Sequence, residues 1–202
     1  LAEYAIADQA FDLSRRAAAI AREVADSMTR ENPRWPRFVA GSVGPTTKLV
    51  SLGHLTYDEL FDSYVTQIHG LIVGGIDIVQ IETAQDLLGV KCAVLAARRA
   101  MQLAGREVPI ITQVTIETTG TMLIGTEMAA ALPAIEAIDV DVIGLNCATG
   151  PDLMHEHVRF LGEHANRLVS VLPNAGLPRN VNGVATYDLT PDTLADFQER
   201  FV

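Results

Sequence analysis

The sequence predicts an α/β fold built on a parallel sheet, and three observations carry that reading. Segments of strand character alternate strictly with segments of helical periodicity. The strand segments are continuous runs of Val, Ile and Leu, the pattern of strands covered by helices on both faces. Polar or turn-forming residues gather where each run ends, while the strand starts are plain.

Apolar and alanine positions recur at helical spacing from about Ala2 to Met28, until "ENPRWP" interrupts them. "RFVAGSVGPTT" then reads as a short buried strand running into a Gly/Pro turn. "YDELFDSYVTQIHGLIVGG" is an amphipathic helix stopped by the paired Gly74 and Gly75. "DIVQIET" is the next strand and "DLLGVKCAVLAARRAMQLAG" the next helix. The order repeats in "VPIITQVTI" and "GTEMAAALPAIEAI", "DVIGLN" and "PDLMHEHVRFLGEHAN", "RLVSVLPNAG" and "TPDTLADFQERF". Five strand–helix units thus follow one opening helix. Such alternation leaves two architectures open, a doubly wound sheet and an eight-stranded α/β barrel. No G-x-G-x-x-G or P-loop fingerprint follows any strand, which weakens the nucleotide-binding form of the first.

The 202 residues are 49% hydrophobic, enough for a sizeable core, and no linker or low-complexity segment divides them. Residues 1–202 therefore read as one domain or part of one. A net charge of −10 argues against non-specific nucleic-acid binding, which needs basic patches. The longest apolar stretch, "GLIVGGIDIVQI", is broken by Gly74, Gly75 and Asp77 and is too short to span a bilayer. Two cysteines without regular spacing, Cys92 and Cys147, point to a reducing, cytoplasmic setting. No signal peptide is visible, and a start at leucine suggests that the chain begins inside a longer polypeptide.

In either architecture chemistry gathers at the carboxyl ends of the strands. Those ends carry Gly44-Pro45-Thr46-Thr47, Glu82-Thr83, Thr115 to Glu117, Asn146-Cys147 and Pro173-Asn174-Ala175-Gly176. Glu82 suits a ligand-binding carboxylate there, against the competing role of capping the following helix. Thr115 also serves as a β-branched strand filler, and Pro173 to Gly176 as a tight turn. Cys147 by itself reads as a core residue, because free cysteine is among the most buried residue types. Cys92 lies within a helix, one turn after Leu88, and is assigned to packing. His54, His69, His155, His157 and His164 form no metal-ligand pattern, and no Ser-His-Asp arrangement is present.

The segments "GPTT", "IDIVQIET", "GLNCATGPDLM" and "PNAGLP…YDLTPD" stand in an order and spacing that resemble homocysteine S-methyltransferase domains. "GLNC" and "IET" point to the wider family, which includes betaine–homocysteine methyltransferases. "PNAGLP" with the following "YDLTP" is most similar to the homocysteine-binding modules of cobalamin-dependent methionine synthases. The likeness covers nearly the whole chain from about Arg37 to Val202.

The resemblance implies a parallel (β/α)8 barrel that holds one zinc ion through three cysteine thiolates. Cys147 matches the first ligand. The other two belong to a Gly-Gly-Cys-Cys-Gly segment after the last barrel strand, and this sequence stops at "ERFV", before such a segment. On that alignment residues 1–202 are part of one barrel domain, roughly strands three to seven, lacking the first strands and the last. One thiolate cannot hold zinc firmly, so the segment alone is expected to bind zinc weakly and to be inactive.

The resemblance further implies a transferase that activates homocysteine as a metal-bound thiolate, with Cys147 as catalytic metal ligand. Glu82 would accept hydrogen bonds from the substrate ammonium, Asn146 would orient the loop or the amino-acid portion, and Thr115 would line the cavity. The methyl donor would be methylcobalamin, recharged from methyltetrahydrofolate, both held by cobalamin- and folate-binding modules of the same parent chain. Two alternatives stay open. One is a cobalamin-independent thiol methyltransferase using betaine or S-methylmethionine; the other is a different α/β barrel in which Cys147 only packs.

Overall fold

The structure is a computed structural model and describes residues 4–201. Its elements run α1 (Ala10–Glu31), β1 (Ala40–Val43), α2 (Tyr57–Val73), β2 (Ile78–Ala84), α3 (Leu87–Ala104) and β3 (Ile110–Val114). They continue with α4 (Met128–Glu136), β4 (Val142–Asn146), α5 (Pro151–His164), β5 (Leu168–Leu172), β6 (Arg179–Val181), β7 (Val184–Thr186) and α6 (Pro191–Phe201). The first five strands form one parallel sheet in the order β1-β2-β3-β4-β5. Sequential order without a reversal is the topology of a β/α barrel, since a doubly wound sheet must switch direction part-way. All five predicted strand–helix units are present.

The differences lie at the boundaries and at the end of the chain. A 3₁₀ turn, Ala7–Gln9, immediately precedes α1, and the expected start near Ala2 falls outside the described residues. Helix α1 runs past Met28 to Glu31. There the Thr29 hydroxyl donates to the Ala25 carbonyl and accepts from the Arg37 amide at 2.9 Å, and Asn32 before Pro33 ends the helix. The stretch before α6, to which the sequence analysis gives no element, is an antiparallel hairpin of β6 and β7. Asn182 and Gly183 at its tip both have left-handed backbones (φ 53° and 84°), which a two-residue Asn-Gly turn requires.

The strands are not all buried as expected. β5 leaves Leu168 at 74% and Leu172 at 52% exposure, because it pairs on one side only among the described residues. No helix among them is long and apolar enough to cross a membrane.

The chain divides into two compact units. The first runs through Ile81 and resumes over Leu88–Ile111; the second takes Glu82–Leu87 and the chain from Thr112 onward. In the first unit α1 lies against α2 at two glycines four residues apart. A β-carbon on Gly70 would collide with the Phe11 carbonyl, and one on Gly74 with the Arg15 carbonyl. Gly74 therefore serves close helix approach, and Gly75, with φ 101°, makes the left-handed stop after α2. Asp77 ties three segments of this unit together. It pairs with Arg22 of α1 at 2.6 Å, and the same oxygen accepts the Val39 amide at 2.7 Å. Arg22 also donates to the Arg37 carbonyl at 3.1 Å. At the other end of α2, Thr56 and Glu59 exchange hydrogen bonds as a capping box, and the Thr56 amide holds the Glu59 carboxyl below its usual range.

In the second unit β4 and β5 run in register from Val142 with Leu168 to Asn146 with Leu172. Gly144 is required by this ladder, since a β-carbon there would sit directly against the Ser170 carbonyl. Gly144→Ala should therefore destabilise the fold by at least about 3 kcal/mol, visible as a large fall in the denaturant midpoint. Gly162→Ala, on the exposed face of α5 with open space around it, should leave the midpoint unchanged or raise it.

Candidate functional site

The candidate site lies in the second unit, where the carboxyl ends of β2 and β4 meet. It begins with two breaks in strand geometry. Strand side chains alternate between faces, yet Glu82 and Thr83 are consecutive in β2 and both turn toward Asn146. The cause is Thr83, whose backbone is left-handed with φ 53°. A β-branched residue in that region is strained by about 1–3 kcal/mol. At the end of β4 the chain turns through two consecutive left-handed residues, Cys147 (φ 58°) and Ala148 (φ 56°).

Hydrogen bonds hold both turns. The Thr83 amide donates to Asn146 Oδ1 at 2.7 Å. The Cys147 amide donates to the Leu172 carbonyl at 3.1 Å, extending the ladder with β5 by one residue. The Thr149 amide closes on the Cys147 carbonyl at 2.7 Å, and Asn174 reaches back to the Thr149 carbonyl at 3.1 Å. Gly150 then packs so closely that a β-carbon would lie 2.9 Å from Gly176 Cα. Pro151 opens α5 directly after it, where its missing N–H costs nothing. The Pro173-to-Gly176 segment, which bends at Ala175 and Gly176, thus buttresses the Cys147 loop.

Within this frame the side chains of Glu82, Thr83, Asn146 and Cys147 converge. Asn146 is buried, and its Oδ1 is already an acceptor, so its Nδ2 must donate. Three acceptors surround that nitrogen: Thr83 Oγ1 at 2.7 Å, Cys147 Sγ at 3.2 Å and Glu82 Oε2 at 3.3 Å. Its two protons cannot serve all three fully; the shortest contact takes one, and sulfur and carboxylate share the other. The Thr83 hydroxyl accepts from Asn146, so its own proton goes to the adjacent Glu82 Oε2, with Cys147 Sγ 3.6 Å away.

Of the residues that the sequence analysis selects, Glu82, Asn146 and Cys147 come together here. Thr115 lies beneath them, its hydroxyl donating to the Asn146 carbonyl at 3.0 Å and itself buried. Cys147 is half-buried rather than enclosed, whereas Cys92 is fully buried in α3, near the Tyr57 carbonyl. Thr83 has no role predicted from the sequence, and nothing in the local sequence announces its left-handed backbone. Gly44-Pro45-Thr46-Thr47 belongs to the first unit, with Gly44 accepting a long contact from Tyr64 at 3.4 Å.

The model of the homocysteine S-methyltransferase family matches residues 1–202. The chain belongs to the homocysteine S-methyltransferase family. It is 52% identical over its full length to methionine synthase of Mycobacterium leprae, and 52% identical to that of Mycobacterium tuberculosis. It spans only 17% of the length of these curated relatives. Among solved structures, the apo form of the Escherichia coli homocysteine methyltransferase MmuM overlays with a TM-score of 0.70 at 19% identity, over 84% of this chain and 62% of that one. That likeness is one of fold.

A zinc ion, which the family resemblance implies, meets a donor right in kind and incomplete in number. Cys147 offers a soft, hydrogen-bonded, half-exposed sulfur at a strand end. Among the described residues, however, no group of three His, Cys, Asp or Glu could hold a metal. Among the described residues the site offers one thiol of the right kind, Cys147, and no complete ligand set.

Asn146→Ala leaves the Thr83 amide without its acceptor and removes the donor shared by three groups. It should cost about 2–3 kcal/mol in equilibrium unfolding, against about 1 kcal/mol for Thr115→Val, which removes a single hydrogen bond. Equal costs for the two would show that the amide is not the centre of the cluster.

Proposed function

We propose that this chain is part of a homocysteine-binding methyltransferase module, in which the cluster at the ends of β2 and β4 binds the acceptor amino acid. The observation that carries this reading is the convergence of the sulfur of a half-buried cysteine, one carboxylate and one buried amide at the carboxyl end of a barrel-type sheet. Glu82 accepts hydrogen bonds from the substrate ammonium. Asn146 orients both the carboxylate and the sulfur. Thr115 fixes the backbone of Asn146 from below and lines the floor of the cavity.

Cys147 serves in this reading as one of three thiolate ligands to zinc, the other two coming from outside these 202 residues. When bound, such an ion lowers the pKa of a substrate thiol and presents it as a thiolate. The five strand–helix units are strands three to seven of an eight-stranded barrel, and the exposed edge of β5 fits pairing with a further strand. The share of the relatives' length outside this chain leaves room for cobalamin- and folate-binding modules, with methylcobalamin as donor and methyltetrahydrofolate recharging it in the cytoplasm. The chain alone is inactive.

Two outcomes are expected. In the full-length parent protein, Cys147→Ser should abolish stoichiometric zinc and lower homocysteine methylation by more than about 100-fold; unchanged zinc and unchanged turnover would return Cys147 to a packing role. The 202 residues expressed alone should not retain one tightly held zinc per chain by metal analysis, and tight retention would overturn the ligand assignment.

A further inference from the structure

The cluster contains one residue whose geometry neither the ligand set nor the substrate contacts account for. Thr83 occupies a left-handed backbone, the second half of a pair in which Glu82 and Thr83 face the same way. Most residues are disfavoured in that region, and β-branched ones most of all. Stability alone would place glycine or asparagine there. The hydroxyl is where the difference lies.

Its hydrogen-bond directions follow by elimination. The Thr83 amide fixes Asn146 Oδ1 as an acceptor at 2.7 Å, so the nitrogen of that amide points at Thr83 Oγ1 at 2.7 Å. The hydroxyl oxygen therefore accepts, and its single proton is directed at Glu82 Oε2. A one-way relay results, from the Asn146 amide through the Thr83 hydroxyl to the Glu82 carboxylate. Asn146 also reaches Glu82 directly, but at the longer distance of 3.3 Å. A donor from the next residue in the chain, itself clamped by the buried amide, decides which rotamer a half-buried carboxylate adopts.

We propose that Thr83 is a positioning residue that orients Glu82 toward the ammonium group of the substrate. The inference rests on the assignment of Glu82 to the ammonium and deepens it. It requires that the effect of Thr83 be confined to the amino end of the ligand, since the hydroxyl has one proton and directs it at the adjacent carboxylate in preference to the sulfur, its second acceptor at 3.6 Å.

That confinement gives a test. L-homocysteine and 4-mercaptobutanoate, which is homocysteine without its amino group, are titrated calorimetrically into the full-length parent protein. Thr83→Val keeps the branched shape and removes the hydroxyl; Thr83→Ala is the substitute should the valine variant fail to fold. Either should weaken homocysteine binding about tenfold, the factor for one charge-assisted hydrogen bond, and leave 4-mercaptobutanoate unchanged. Thr83→Ser should bind homocysteine within about twofold of the unaltered protein, an indifference a retained hydroxyl explains. Equal weakening of both ligands, or of neither, would overturn the positioning role and leave the Glu82 assignment standing. If Glu82→Gln also fails to discriminate between the two ligands, the assignment of Glu82 itself falls, and the role of Thr83 with it.

Discussion

The buried amide of Asn146 is the interaction on which the candidate site depends. Its oxygen takes the Thr83 amide, and its nitrogen faces a hydroxyl, a sulfur and a carboxylate. An amide is suited to this because its two ends are chemically opposite and rigidly joined. Once one end is fixed, the other is aimed. A carboxylate at the same position would offer only acceptors, facing other acceptors. A shorter side chain would leave a backbone N–H buried without a partner, at a cost comparable to a lost hydrogen bond. Burial strengthens the arrangement, since competition from water is removed.

The amide also supports an unfavourable backbone. Thr83, Cys147 and Ala148 are all left-handed and none is glycine. Such residues persist where surrounding bonds over-determine them. Here the restraints are the Asn146–Thr83 pair, the extension of the β4 ladder to Leu172, and the tight turn from Thr149 to Cys147. Strain and function are connected through direction: without the left-handed turn at Thr83, strand alternation would send Glu82 and Thr83 to opposite faces. The sulfur at Cys147 is likewise lifted out of the strand and left half-exposed.

The first unit solves a different problem with similar economy. Helix α1 needs a surface without side chains, which Gly70 and Gly74 provide, and Asp77 then anchors Arg22 and the Val39 amide at the approach to β2. The Arg22–Asp77 pair is only partly exposed, so it is less screened than a surface ion pair. Its second hydrogen bonds, to backbone on both sides, give it a structural direction that an isolated pair would lack.

The alternation of strands and helices, the class of fold and the placing of polar residues at strand ends were all legible in the sequence, because they follow from periodicity and from the chemistry of buried parallel strands. So was the candidacy of Glu82, Asn146 and Cys147, as strand-end residues matching a family pattern. The hairpin of β6 and β7 was not anticipated, although the Asn182-Gly183 pair at its tip is a recognised hairpin-turn signal. What only the tertiary structure decided was convergence. Glu82 and Asn146 are 64 residues apart, and their meeting depends on a sequential strand order and on one left-handed threonine. Periodicity assigns a side chain to a face of its own strand; it carries no information about a reversal of that face, because the reversal is stabilised by an amide from another strand.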